Sequence, residues 1–360
     1  MNRVYNFGPG PATLPLEVLE EAAKEMTNYQ NTGMSMMEIS HRSKEYQAIH
    51  DETKATLKEL LKLDDDREIL FIQGGATMQF TMVPLNLLMP DDTATFLDTG
   101  SWTKKAYAEA KKFAKVEILA SSADKNYSYI PEIDESKISK DSKYLHLCTN
   151  NTIYGTRIKP ENLKGLKTPL VADMSSNFMS EVYDFNQFDL FYAGAQKNLG
   201  PSGVTVVVMK KDLIKETRTL PVYMEYKTFI ESDSLYNTPP VYSIYISGKV
   251  AKWLKAQGGI EAIEKINKEK ARILYEFIDN SKVFKNNIEK EDRSIMNAVF
   301  VTGDDNLDGE FLKGAKAKGL EGLKGHRSVG GMRASIYNAM PLEGVKALVE
   351  YMKEFEMKRA

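Results

Sequence analysis

A lysine lies between two strand-like apolar runs. Lys197 follows the run 189–193 and precedes the run 204–209, in a turn that contains glycine and proline. An ammonium group between buried strands is poorly solvated, and a lysine that has lost its proton attacks carbonyl carbons. Lys197 is therefore a candidate for covalent catalysis, although lysines in turns, taken alone, are mostly solvated.

Three other segments place glycine or polar residues where strand-like runs end. They are Gly74-Gly75 before an apolar helix, the polar turn 150–155, and Asp173 at the end of an apolar run. Ligands of open parallel sheets bind at the carboxyl ends of strands, so these segments are expected to share a crevice with Lys197. Taken singly, each has an ordinary alternative: a tight turn, common turn chemistry, or a helix cap.

The combination matches the requirements of pyridoxal phosphate. That cofactor needs a lysine for an imine, a carboxylate that keeps the pyridine nitrogen protonated, and a phosphate site such as a helix N-terminus. Lys197, Asp173 and the helix opened by Gly74-Gly75 supply these groups. Trp102 could provide a flat surface for the ring, or it could belong to the core.

Two of the four histidines begin the same tripeptide, His41-Arg42-Ser43 and His326-Arg327-Ser328. Arg333 follows the second copy after two glycines, which allow close approach of a ligand. Arginine is much rarer than lysine in this chain, so arginines in loops are informative. Converging His and Arg side chains predict a substrate with several negative charges, such as a carboxylate and a phosphate. A solvated basic loop is the alternative at each place.

Composition limits the other possibilities. The chain has 360 residues, 42% hydrophobic and 27% charged, with a net charge of −2, so there is no electrostatic case for nucleic acid or an anionic membrane. No apolar run is long enough for a membrane span, and the first residues contain no apolar secretion segment. Cys148 is the only cysteine, which excludes disulfides and a cysteine-based metal site; we expect no metal and a cytoplasmic location.

From residue 68 onward, short apolar runs alternate with helical patterns, which predicts an α/β fold with a mainly parallel sheet. We expect three parts: an extended N-terminal arm at 1–15, a large cofactor-binding domain at 16–255, and a small α+β domain at 256–360.

Five longer segments resemble the phosphoserine aminotransferases, a family of class-V pyridoxal-phosphate-dependent aminotransferases. The segments are 6–12, 33–43, 151–155, 193–203 and 325–335. They occur in order from residue 6 to the C-terminal region. The resemblance implies a fold-type I enzyme with a seven-stranded-type sheet, working as a homodimer whose active sites are shared between subunits.

The resemblance also implies residue roles. Lys197 is similar to the Schiff-base lysine, Asp173 to the partner of the pyridine nitrogen, and Trp102 to the residue stacked on the ring. The further cofactor contacts that it implies are Ala76, Thr77, Thr152, Gln196 and, from the other subunit, Asn237 and Thr238. The substrate-binding residues that it implies are His41, Arg42, His326, Arg327 and Arg333. Many relatives carry arginine where this chain has Thr77, so that charge is absent here.

The implied reaction is reversible amino transfer between L-glutamate and 3-phosphohydroxypyruvate, giving 2-oxoglutarate and O-phospho-L-serine. The sequence leaves open whether 4-phosphohydroxy-L-threonine, used in vitamin B6 synthesis, is also a substrate. Another class-V aminotransferase, such as the alanine–glyoxylate type, and a non-catalytic vitamin-B6-binding protein are the alternatives. A cysteine desulfurase is disfavoured because Cys148 lies in an apolar run.

Overall fold

The computed structural model describes residues 3–215 and 218–359. Met1, Asn2 and Ala360, which belong to the arm and small domain expected from the sequence, lie outside the described residues. The helices are α1 (Leu16–Glu25), α2 (Lys44–Leu61), α3 (Gly75–Leu87), α4 (Ser101–Ala110), α5 (Tyr226–Glu231), α6 (Val241–Ala256), α7 (Gly259–Asn280), α8 (Asp305–Ala317) and α9 (Leu342–Met357). The strands are β1 (Tyr5–Asn6), β2 (Arg67–Ile72), β3 (Thr93–Asp98), β4 (Lys115–Ser121), β5 (Ser142–Cys148), β6 (Asn150–Asn151), β7 (Thr156–Arg157), β8 (Leu170–Asp173), β9 (Leu190–Gly194), β10 (Thr205–Lys210), β11 (Asn297–Phe300), β12 (Leu320–Glu321) and β13 (Met332–Ser335).

The centre of the fold is a seven-stranded sheet in the order β2-β10-β9-β8-β5-β3-β4. β10 runs antiparallel to both β2 and β9, whereas the other neighbouring pairs are parallel. The expected mainly parallel α/β sheet is therefore confirmed. β8 and β9 are neighbours, so the segments that follow them, with Asp173 and Lys197, emerge side by side.

The central strands are apolar on both faces because both faces are covered. In β9, Phe191 and Ala193 pack into one hydrophobic cluster, with residues of α2 and α6. Leu190 and Tyr192 pack into the opposite cluster, with residues of α3, α4 and α5. Alternate side chains of a strand point to opposite faces, so a strand covered on both sides needs apolar residues throughout.

A third cluster lies outside the main sheet and joins α7, α8 and α9 to the β11–β13 pair. The N-terminal arm belongs to it: Phe7 is fully buried there, and β1 pairs in parallel with β12. The arm, expected to be extended, thus contributes a short strand. α7 contributes to two hydrophobic clusters. Ile263 packs into the cluster that contains Phe191, and Leu274 packs into the third cluster. The domain boundary at 255/256 stays a prediction.

Among the described residues, no helix combines the length and apolar composition needed to cross a membrane. In the same ranges, no group of three or more His, Cys, Asp or Glu side chains is placed to hold a metal ion.

Candidate active site

A cavity of about 370 Å³ opens at the carboxyl edge of the sheet. The segments that follow β2, β3, β5, β8 and β9, together with the segment before β10, form its walls. The lining residues are Gly74, Gly75, Ala76, Thr77, Trp102, Cys148, Asn150, Thr152, Asp173, Ser175, Ser176, Gln196, Lys197, Ser202, Gly203 and Val204. The crevice expected from the sequence therefore exists, and it contains all the predicted cofactor contacts except Asn237 and Thr238.

Lys197 lies in the turn between β9 and β10. The N–H of Ala195 donates to the carbonyl oxygen of Val204 at 3.0 Å, and this bond closes the turn. The Nζ of Lys197 donates to Oγ1 of Thr152 at 3.0 Å. Burial lowers the pKa of Lys197 to about 8, although the negative charge of Asp173 acts in the opposite direction. The amine therefore loses its proton at a lower pH than a solvated lysine does.

The N-terminal arm covers this turn. The N–H of Ala12 donates to the carbonyl oxygen of Gln196 at 2.9 Å. A Cβ added to Gly10, whose φ is +137°, would lie 3.5 Å from Cγ of Lys197. The φ of Gly10 lies in a region that residues with a side chain rarely adopt, so glycine suits this path of the arm over Lys197. The run of glycine and proline at 8–11 is the sequence signal for this contact.

Asp173 ends β8 inside the cavity. Its Oδ1 accepts a hydrogen bond from the N–H of Ser175 at 2.9 Å. Burial raises the pKa of Asp173, while the hydrogen bonds from Ser175 and the charge of Lys197 act in the opposite direction. Cys148, paired with Asp173 in the sheet register, also lines the cavity, and neither Cys148 nor Ser175 was among the expected contacts.

The N-terminus of α3 forms an anion cradle. Gly74 precedes the helix with a left-handed φ of 97°, and a Cβ there would lie 2.5 Å from the Cβ of Met78. Only glycine allows this tight entry into the helix. The first N–H groups of a helix have no acceptor within it, so those of Gly75, Ala76 and Thr77 are available to an anion in the cavity.

Trp102 lines the cavity, and Arg333 contacts the lining residue Thr152 without lining the cavity itself. Trp102 lies in the first turn of α4, and the Nζ of Lys197 is 5.9 Å from the centroid of its ring. Arg333, in β13, is buried, and its Nη1 donates to the carbonyl oxygen of Thr152 at 3.1 Å. The pairing of β13 with β11 thereby places the guanidinium group of Arg333 beside Thr152, which accepts the hydrogen bond from Lys197.

His326 and Arg327 lie in the loop that precedes β13. Nδ1 of His326 is 2.7 Å from Oγ of Ser328, and a Cβ on Gly331 at the end of the loop would lie 2.5 Å from Cγ1 of Val301. Burial lowers the pKa of His326, as do the charges of Arg333, Arg327 and Lys105. Arg327 therefore adds positive charge near Arg333, whereas the lowered pKa of His326 favours its neutral form.

Seven of the expected site residues do not line this cavity. His326, Arg327 and Arg333 are three of them, and the other four come from the segments before α2 and α6. His41 and Arg42 lie in the segment before α2, and Asn237 and Thr238 lie in the segment before α6. Arg42, Asn237 and Thr238 are exposed, and none of the four lines the cavity formed by the described residues. Their roles stay predictions.

Comparison with protein families matches residues 4–348 to the class-V aminotransferases. The chain belongs to this family. Among curated members, a phosphoserine aminotransferase from Bacillus cereus is 52% identical over 359 residues, which cover 99% of each chain. This class-V aminotransferase thus matches its relatives over their full length.

Solved structures agree with the sequence comparison. The phosphoserine aminotransferase of Bacillus circulans subsp. alkalophilus superposes with a TM-score of 0.96 at 46% identity, covering 99% of each chain. The structure of the Trichomonas vaginalis enzyme, described as bound to PLP, has a TM-score of 0.92 at 39% identity over 98% of this chain and 100% of that one. An alanine–glyoxylate aminotransferase from Nostoc has a TM-score of 0.80 at 16% identity, which shows the shared fold alone.

Proposed function

We propose that this chain is a phosphoserine aminotransferase, which transfers an amino group reversibly between L-glutamate and 3-phosphohydroxypyruvate. The products are 2-oxoglutarate and O-phospho-L-serine. The proposal depends mainly on one cavity, which contains Lys197, Asp173 and the N-terminus of α3. The chain that forms this cavity is 52% identical to a phosphoserine aminotransferase. The relatives favour this reaction over the alanine–glyoxylate alternative.

The residues present fit pyridoxal phosphate. The N–H groups at the start of α3 suit its phosphate, and Asp173, with one oxygen bonded to Ser175, has a second oxygen for a protonated ring nitrogen. Trp102 supplies a flat wall, and Thr152 and Gln196 line the remaining sides. When bound, this cofactor supplies the electron sink for charge released at the substrate's Cα.

Lys197 moves the proton. Its amine, with a pKa lowered to about 8 by burial, is neutral often enough to take the proton from the substrate's Cα. The hydrogen bond to Oγ1 of Thr152 fixes the position of Nζ while it does so. Asp173 contributes a buried negative charge beneath the reacting region, which favours positive charge on the ring nitrogen.

Arg333 binds the substrate's α-carboxylate in this proposal. Its guanidinium group is buried beside Thr152, close to the Nζ of Lys197, and a planar guanidinium group suits a carboxylate. His326 and Arg327 bind the substrate's second anionic group.

A homodimer belongs to the same proposal. Arg42, Asn237 and Thr238 are exposed and lie outside their own chain's cavity, so a second subunit is needed to bring them to an active site. In that arrangement His41 and Arg42 assist substrate binding, and Asn237 and Thr238 contact the cofactor phosphate. A cytoplasmic location and a role in pyridoxine synthesis stay predictions from the sequence.

A coupled assay tests the function. Holoenzyme is supplied with O-phospho-L-serine and 2-oxoglutarate, and glutamate formation is measured. We expect turnover with O-phospho-L-serine and at least about 100-fold lower kcat/KM with L-serine or L-alanine, since these lack the second anion. Equal turnover of alanine and glyoxylate would support the alternative aminotransferase, and no turnover with a bound cofactor would support a binding protein.

A further inference from the structure

Asp233 ties the segment after α5 to two residues of α2. Its Oδ1 is 2.6 Å from Nζ of Lys54, and its Oδ2 is 3.2 Å from Nε2 of His50. His50 and Lys54 are four residues apart, so they share one face of the helix. His50 is fully buried, and Nζ of Lys54 also lies 2.6 Å from Oε1 of Glu68 in β2. One carboxylate therefore joins this segment to α2, and Lys54 joins α2 to the sheet.

The next residue attaches the segment to the edge strand β2. Oγ of Ser234, which is buried, accepts a hydrogen bond from the N–H of Phe71 at 3.0 Å. Asp233 and Ser234 have φ values of 50° and 63°. Residues with a side chain rarely adopt this left-handed region, although aspartate and asparagine adopt it more often than others do. The contacts of Asp233 and Ser234 thus hold the backbone in a conformation that costs free energy when it is not supported.

The other end of the segment is also fixed. Pro239 is buried, and Oγ of Ser243 in α6 donates to the carbonyl oxygen of Ser202 at 2.9 Å. Ser202 lines the active-site cavity. Residues 236–238, which lie between the two fixed ends, are exposed. This exposed stretch is therefore short and is held on both sides.

α2 also follows directly after His41 and Arg42. Oγ of Ser43 accepts a hydrogen bond from the N–H of Tyr46 at 3.2 Å, and this bond caps the start of the helix. The two segments that do not line their own chain's cavity, 41–42 and 237–238, are therefore both attached to α2. The first is attached through the chain, and the second is attached through Asp233.

We propose that Asp233 is a positioning residue. Through its two contacts on α2 it holds Asn237 and Thr238 in place, so that they reach the cofactor phosphate of the second subunit. The proposal rests on the proposed function, because that function includes the homodimer with shared active sites. A stretch that is already ordered loses less conformational entropy when it enters the other subunit's site, so the anchor strengthens cofactor binding there.

The variant Asp233→Asn tests this role, with Glu231→Gln as the matched control. Each variant loses one carboxylate from the same stretch of chain, and asparagine tolerates a left-handed φ. Glu231 is exposed, and its Oε1 lies 3.7 Å from Nζ of Lys227 on the same helix. The assay uses O-phospho-L-serine and 2-oxoglutarate. The measurements are the cofactor concentration that gives half-maximal turnover and kcat at saturating cofactor.

We expect Asp233→Asn to raise the half-maximal cofactor concentration about tenfold, the usual effect of losing one hydrogen bond to a charged group, with kcat within about twofold of wild type. Glu231→Gln should match wild type in both measurements. Lys54→Gln removes the same contact from the side of α2 and should also raise the half-maximal concentration.

Mixed dimers show in which subunit the effect appears. When one subunit carries Lys197→Ala and the other carries Asp233→Asn, the only intact Lys197 faces an unaltered stretch 236–238, so the half-maximal concentration should equal that of wild type. When one subunit carries both substitutions and the other is wild type, the only intact Lys197 faces the altered stretch. The concentration should then rise about tenfold, as in the Asp233→Asn homodimer.

The role of Asp233 is overturned if Asp233→Asn and Lys54→Gln both match wild type, or if Glu231→Gln has an equal effect. Mixed dimers that give the reverse result, or results equal to each other, would also overturn it, since the effect would then not pass between subunits. A wild-type chain that does not dimerise, or does not use O-phospho-L-serine, would refute the proposed function instead, so the two failures are distinguishable.

Discussion

Two buried lysines occupy very different surroundings in this protein. Lys270, in the middle of α7, donates to the carbonyl oxygens of Ile336, Tyr337 and Met340 at 3.0, 2.7 and 3.1 Å. Lys197 donates only to Thr152 among the residues described, and the rest of its ammonium group faces the cavity. Burial lowers the pKa of both, to about 7 for Lys270 and about 8 for Lys197.

A lowered pKa therefore does not distinguish a reactive lysine from a structural one. An ammonium group has three N–H donors, and at Lys270 all three have protein acceptors, so no ligand can reach the nitrogen. At Lys197 only one N–H has an acceptor among the described residues, and a cavity lies beside the remaining N–H donors. What separates the two sites is the count of satisfied donors and the space next to the nitrogen.

The largest expected effect is the loss of catalysis on removal of the cavity lysine. Lys197→Ala should lower turnover by about 10⁴-fold, because both covalent attachment and proton transfer use this amine. It should also remove the visible absorbance of the lysine-linked cofactor. Lys270→Met is the matched control and should keep that absorbance; a loss of equal size there would remove the distinction between the two lysines.

Asp173→Asn should reduce turnover by about 10²–10³-fold, since it removes a buried charge aimed at the reacting region. It should also act on Lys197. The charge of Asp173 raises the pKa of Lys197, so the cofactor-free variant should have an amine pKa below the wild-type value of about 8. The measurement is the rate of cofactor capture against pH, whose midpoint should move to lower pH. An unmoved midpoint would show that the two side chains are not coupled.

At Lys270 the expected effect is on stability and depends on pH. Its pKa is about 7 in the folded protein, against 10.5 for an unperturbed lysine, so between these two pH values the unfolded chain binds more protons. The site's contribution to the free energy of unfolding therefore rises with pH in that window, by up to about 1.4 kcal/mol per pH unit, and is flat below pH 7.

Lys270→Met should remove this dependence of the free energy of unfolding on pH. The stability of wild type relative to the variant should increase by about 2–3 kcal/mol from pH 6.5 to pH 9, measured by urea unfolding of the cofactor-free proteins. Lys265→Met, an exposed change on the same helix, is the control and should show no such trend. A pH-independent difference would mean that Lys270 keeps its proton throughout.

The smallest effect is expected at the single partner of Lys197. Thr152→Val removes the acceptor of the 3.0 Å bond but keeps the side-chain shape, so kcat should fall about three- to tenfold, the worth of one hydrogen bond. Thr95→Val, which removes a hydroxyl that contacts Ser142 away from the cavity, should leave kcat unchanged. An equal loss in both variants would indicate a general effect on the sheet.

Much of the site was predictable because it follows strand ends. Asp173 and Lys197 come directly after apolar runs, and Gly74-Gly75 open a helix, so the rule that strand carboxyl ends share one edge brings them together. The contact of the arm with Lys197 was missed, since Gly10 and Ala12 are distant in sequence and carry no functional group.

The sequence alone determined the alternation of strands and helices, the mainly parallel sheet, and the set of residues at its carboxyl edge. These follow from periodicity and from residue type, which are local properties. Only the tertiary structure decided whether the N–H donors of each buried lysine have protein acceptors. Lys270 gives no signal in a charged helix, and it became a satisfied internal cation because the segment after β13 folds its carbonyl oxygens around it. Lys197 stayed incompletely paired because the surrounding segments form a cavity, and such pairing depends on contacts between residues far apart in the chain.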